Sequence, residues 1–94
     1  MHTRLFYLKK HPECALVWQN SGVVHQVFYQ RETWVIKSAD FTHYQTYTTT
    51  DYFDSYYALL DHMRHIQYNM HYWVMIPSKD FIEKQELVHH ESNV

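Results

Sequence analysis

The chain has 94 residues, 46% of them hydrophobic, with one Gly, two Pro and one Cys. That length admits one domain (1–94), and the composition excludes disordered and low-complexity classes. Eight Lys and Arg against ten Asp and Glu give a net charge of −2, which lacks the basic footprint of a nucleic-acid binder.

The lone Cys14 rules out a disulfide framework. The opening stretch MHTRLFYLKKHPE has no apolar segment of signal-peptide length, and no apolar run approaches the ~20 residues of a membrane span. These features together predict a cytoplasmic protein with no membrane contact.

In chain order, residues 4–9 (RLFYLK) suggest a first short strand that stops at His11-Pro12. From Cys14 to Lys37 the chain reads CALVWQ, NSG, VVHQVFYQ, RE, TWVIK, which predicts three strands joined by two tight turns. A three-residue loop closed by Gly22 would set Trp18 opposite Val24 and Val17 opposite His25. A two-residue turn at Arg31-Glu32 would pair Tyr29 with Trp34 and Val27 with Ile36. Residues 41–48 (FTHYQTYT) predict a further, wetter strand.

An antiparallel sheet with one wet face should alternate apolar and polar residues. Here both alternation sets are apolar. One holds Ala15, Val17, Val23, Val27, Tyr29, Trp34 and Ile36 with His25 among them. The other holds Cys14, Leu16, Trp18, Val24, Phe28 and Val35, with Gln26 and Lys37 as its polar members. Each face therefore needs a cover.

Thr50 is a good N-cap and Asp51 and Asp54 suit a first helical turn. Tyr52, Tyr56, Leu59, Met63, Ile66 and Met70 then recur at helical spacing, predicting one long amphipathic helix over 51–70. It would cover the Val17–Val27–Ile36 face. YWVMI at 72–76 predicts a short buried strand ended by Pro77, and Ser78 can open a final helix over 78–90. The fold expected is α+β: a meander of four to five antiparallel strands against one long helix, then the short strand and the C-terminal helix. The second face would be covered by residues 78–90 or, the favoured choice, left to a partner.

No phosphate-cradling loop is possible with one Gly, and no zinc or nucleophile motif is present. His62 and His65 lie one helical turn apart, with His71 beyond, so a metal site from these three can be drawn. Solvated histidines beside acidic neighbours are the simpler explanation. His25 lies between apolar strand positions, where a histidine is usually neutral and hydrogen-bonded. Cys14 and His11 lack a third group to orient them as nucleophile and base.

The leading expectation is a non-catalytic protein-interaction or regulatory module, homodimeric or bound to another protein. Its interface would be Leu16, Trp18, Val24 and Phe28. The alternative is a small-molecule or metal-binding domain with His25, His43 and Tyr44 in a sheet–helix pocket. Third is a sheet-platform RNA binder stacking bases on Tyr44 and Tyr47, which the acidic balance disfavours. No cofactor is implied.

Overall fold

A computed structural model describes residues 3–66 and 73–92. Strands β1 (Ala15–Asn20), β2 (Val23–Gln30), β3 (Thr33–Asp40), β4 (Tyr47–Phe53) and β5 (Val74–Ile76) form one sheet in the order β4-β3-β2-β1-β5, antiparallel throughout. Helices α1 (Thr3–Lys10), α2 (Tyr56–His65) and α3 (Phe81–Ser92) complete an α+β fold. Among the described residues no helix is long and apolar enough to cross a membrane.

The second hairpin has the expected register, with Tyr29 opposite Trp34 and Val27 opposite Ile36. The first does not. Ser21 and Gly22 close it as a two-residue turn with φ of 53° and 83°, so Asn20 pairs with Val23, Trp18 with His25 and Leu16 with Val27. Both central residues at positive φ match a type I′ turn, whose twist suits antiparallel strands. One residue fewer in the loop moves every β1 side chain to the opposite face. Gly22 is also required by space, because a Cβ there would lie 2.3 Å from Thr42 Cγ2.

One face consequently carries Cys14, Leu16, Trp18, Val27, Trp34 and Ile36, and α1 and α2 seal it. The N-terminal segment is a helix rather than the expected strand. Leu5 and Leu8, three apart, fall on one helical side and are fully buried in this core. Phe6 stacks on Tyr56 at 4.9 Å, and the Lys9 ammonium lies 5.5 Å from the Tyr29 ring centroid and 5.9 Å from that of Trp34. Arg4 donates to the Trp73 carbonyl at 3.2 Å, fastening α1 beside β5.

The expected long helix over 51–70 is replaced by a strand and a short helix. Residues 51–53 belong to β4, and α2 begins only after Ser55, whose Oγ accepts from Ala58 N at 3.0 Å. Residues 41–46 form a loop rather than a strand, and Asp40 Oδ1 accepts from Thr42 N to start it. Of α2, Leu59 and Met63 are buried, and Asn20 Nδ2 donates to the Ile66 carbonyl at its end. The part of the helical stripe at Met70 lies outside the described residues.

The second face carries Ala15, Phe28 and Val35 with Gln26, and α3 lies across it. Of the two covers expected, residues 78–90 or a partner, the C-terminal helix is the one that lies over β2 and β3, where the sequence favoured a partner. Gln26 is what anchors α3. Its buried side chain accepts from Ile82 N at 3.0 Å through Oε1 and donates to the Lys79 carbonyl through Nε2. A sheet side chain thereby satisfies an amide in the helix's first turn, a group that the helix itself cannot bond. Further along α3, Lys37 Nζ meets Glu83 Oε1 at 3.1 Å and the Thr48 hydroxyl donates to Glu86.

Candidate interaction surface

The sequence candidates do not converge on one site. Leu16 and Trp18 are buried in the core under α1 and α2, whereas Val24 and Phe28 lie on the α3 face. Trp18 is held in a stack between Trp73, at 4.7 Å and 7°, and His25, at 5.1 Å and 29°. His43 and Tyr44 are exposed on the 41–46 loop, whereas His25 is buried on β2.

His25 is only 6% exposed, and its Nδ1 shares a 2.6 Å hydrogen bond with the Ser38 hydroxyl. Burial, with His62 adding like-charge repulsion, pushes its pKa down to about 4. The ring is therefore neutral at pH 7. A histidine beside a serine has the elements of a general-base pair, but this one is buried, with the Trp18 ring stacked on it. It works as a core polar pair.

His62 faces β4, with Nε2 3.7 Å from Asp51 Oδ2 and its ring 5.0 Å from that of Phe53. His65 instead takes Asp61, one turn back, at 3.6 Å. The two expected ligands thus have different acidic partners, and His71 lies outside the described residues. Among the described residues no group of three His, Cys, Asp or Glu side chains is placed to hold a metal ion. Burial and the Glu13 carboxylate push the Cys14 thiol up, so it is not an activated nucleophile. His11 is turned to Glu13 at 3.5 Å.

A cleft of about 270 Å³ on the outer strands is lined by Phe28, Gln30, Arg31, Val35, Lys37 and Tyr52. A second, of about 420 Å³, lies among Val17, Val24, Val74, Ile76 and Phe81. Arg31 and Glu32 beside the first have φ of 52° and 62°, a left-handed pair that closes the β2–β3 hairpin without glycine.

The open surface lies instead along β4. This is an edge strand, and all of its residues are exposed except the half-buried Phe53. Tyr47 and Tyr52 of β4 are 59% and 70% exposed, on opposite faces of the strand, while Tyr44 in the preceding loop and Tyr57 on α2 are 85% and 81% exposed. The strand, YTTTDYF, is rich in β-formers and contains no Lys or Pro, residues that usually blunt an edge; its one charge is Asp51, which meets His62. The opposite edge, β5, is three residues long.

The ladder fixes which β4 backbone groups face outward. The two-residue turn makes Gln30 and Thr33 a mutually bonded pair, and bonding alternates from there. Trp34, Ile36, Ser38 and Asp40 then bond to β4 through Phe53, Asp51, Thr49 and Tyr47. The N–H and C=O groups of Thr48, Thr50 and Tyr52 point away from the sheet.

The sequence reading missed this surface by placing Tyr52 in the helical stripe. The available signal was the run of three Thr before Asp51, which favours a strand, and Ser55 as a second N-cap. No family model matches the chain, and neither does any curated protein or solved structure.

Proposed function

We propose that this chain is a small non-catalytic protein-interaction module that binds by adding a partner's strand to the β4 edge. The observation carrying this reading is an exposed seven-residue edge strand, free of Lys and Pro, that carries the highly exposed Tyr47 and Tyr52. Strand addition draws affinity from outward main-chain groups, and flanking side chains supply selectivity. Tyrosine suits such a rim, because it offers a large apolar ring at little entropic cost and a hydroxyl that stays wet.

The neutral His25, the raised Cys14 thiol and the dispersed acidic groups offer no activated nucleophile or convergent acid–base pair among the described residues. The test is site-specific photocross-linking in cells, with a benzophenone amino acid at Tyr52 and a control at the exposed Gln19 of β1. Protein adducts at position 52 and none at 19 are expected. An absence of any protein adduct at position 52 would refute the interaction reading.

A further inference from the structure

We propose that the strand added to β4 is β4 of a second copy of this chain, antiparallel about a two-fold axis at Thr50. The proposal rests on the strand-addition reading and names its partner. Its ground is the symmetry of the strand itself. Thr50 is the central residue of Tyr47–Phe53, and its N–H and C=O both point outward.

Placing Thr50 opposite the partner's Thr50 satisfies both groups twice. It also sets Thr48 opposite the partner's Tyr52 as a second bonded pair, and every residue of the strand then has a counterpart. Between the bonded pairs Thr49 meets the partner's Asp51, and at the strand ends Tyr47 meets the partner's Phe53. Aromatic and hydroxyl–carboxylate pairs of this kind are favourable across antiparallel strands.

Electrostatics selects the same register. Asp51 is the single charged residue of β4. With the axis at Thr50 it faces a threonine that can donate to it. Moving the axis one residue to Asp51 would set two carboxylates directly opposite, which is unfavourable. The α3 face adds area at the seam: Glu86 accepts from the Thr48 hydroxyl at the edge, and the next residue, Leu87, is 65% exposed. An isologous dimer of this form would join two five-stranded sheets into one continuous sheet and leave only the short β5 strands as its edges.

Light scattering and sedimentation of the full chain from micromolar to millimolar concentration test the proposal. The wild type should have twice the chain mass. Thr50→Asp, which opposes two carboxylates at the axis, should be monomeric with an unchanged circular dichroism spectrum. Thr50→Pro, which removes the central outward N–H, should be monomeric too. Thr49→Lys, which faces the partner's Asp51 in this register alone, should tighten the dimer about tenfold. A wild type that stays monomeric at millimolar concentration overturns the proposal, as does a dimer that persists in both Thr50 variants. If the chain is monomeric while Tyr52 cross-links to a different protein, self-pairing fails and the interaction reading stands. If Tyr52 captures no protein at all, both fail.

Discussion

Strands β2 and β4 belong to the same antiparallel meander, yet they are stabilised by different means. On β2, His25, Gln26, Val27 and Phe28 are buried in succession, because one face lies under α1 and α2 and the other under α3. On β4 the side chains are almost all in water, and the strand is held mainly by its ladder to β3. Substitutions on β2 should therefore change whether the chain folds. Substitutions on β4 should change what the folded chain does. The distinction is between side-chain packing, which is local and costly to disturb, and outward main-chain groups, which stay open to pairing with another strand.

The sharpest break should come in the core beside β2. Trp34 is 2% exposed and packs against Tyr29 and Tyr56, so Trp34→Ala should cost about 3–5 kcal/mol in urea unfolding. Gln26→Ala should cost about 2–4 kcal/mol, because it leaves Ile82 N and the Lys79 carbonyl without their partner. Its signature is specific: amide exchange should accelerate in the first turn of α3 before it does elsewhere.

His25 gives a pH-dependent version of the same contrast. Its folded pKa, about 4, lies below the ordinary value of 6.5, so the unfolded chain binds the extra proton. Stability is fully retained above pH 7 and falls as pH drops through 6.5 towards 4, with a loss of about 2 kcal/mol at pH 5. His25→Gln should flatten that slope in denaturation measured from pH 5 to 8, and equal slopes would contradict a neutral buried ring. Gly22→Ala should cost about 1–2 kcal/mol in the same assay, through its positive φ and the Thr42 methyl. At the bottom of the scale, Tyr52→Ala on β4 should shift stability by no more than about 0.5 kcal/mol. It should still weaken association.

The first three strands of the meander, a short strand near 74–76 and the C-terminal helix were legible in the sequence because β-branched runs and turn residues agree there. Even so, β5 is not the buried strand expected: Val74 is exposed and Met75 and Ile76 are half-buried. What stayed hidden has particular causes. Asn20-Ser21-Gly22 can close a hairpin with either two or three loop residues, and the choice inverts the faces of β1. With both alternation sets apolar, the hydrophobic pattern could not arbitrate. Leu5 and Leu8 lie within a helix of eight residues, too short to mark itself by periodicity and stabilised by packing. Thr50-Asp51 has the chemistry of a helix start as well as that of a strand, and pairing with β3 decided for the strand. The candidate surface was hidden by that same ambiguity, since Tyr52 counted as a buried helical position.

The central claim is that the outward main-chain groups of β4 pair with β4 of a second copy, and amide hydrogen exchange followed by NMR across protein concentration reads those groups directly. The Thr49 and Asp51 amides bond to β3 and should be protected at every concentration. The account predicts that the Thr48, Thr50 and Tyr52 amides exchange rapidly in dilute solution and gain protection as concentration rises. Rapid exchange of those three amides at every concentration, with Thr49 and Asp51 protected throughout, would contradict it.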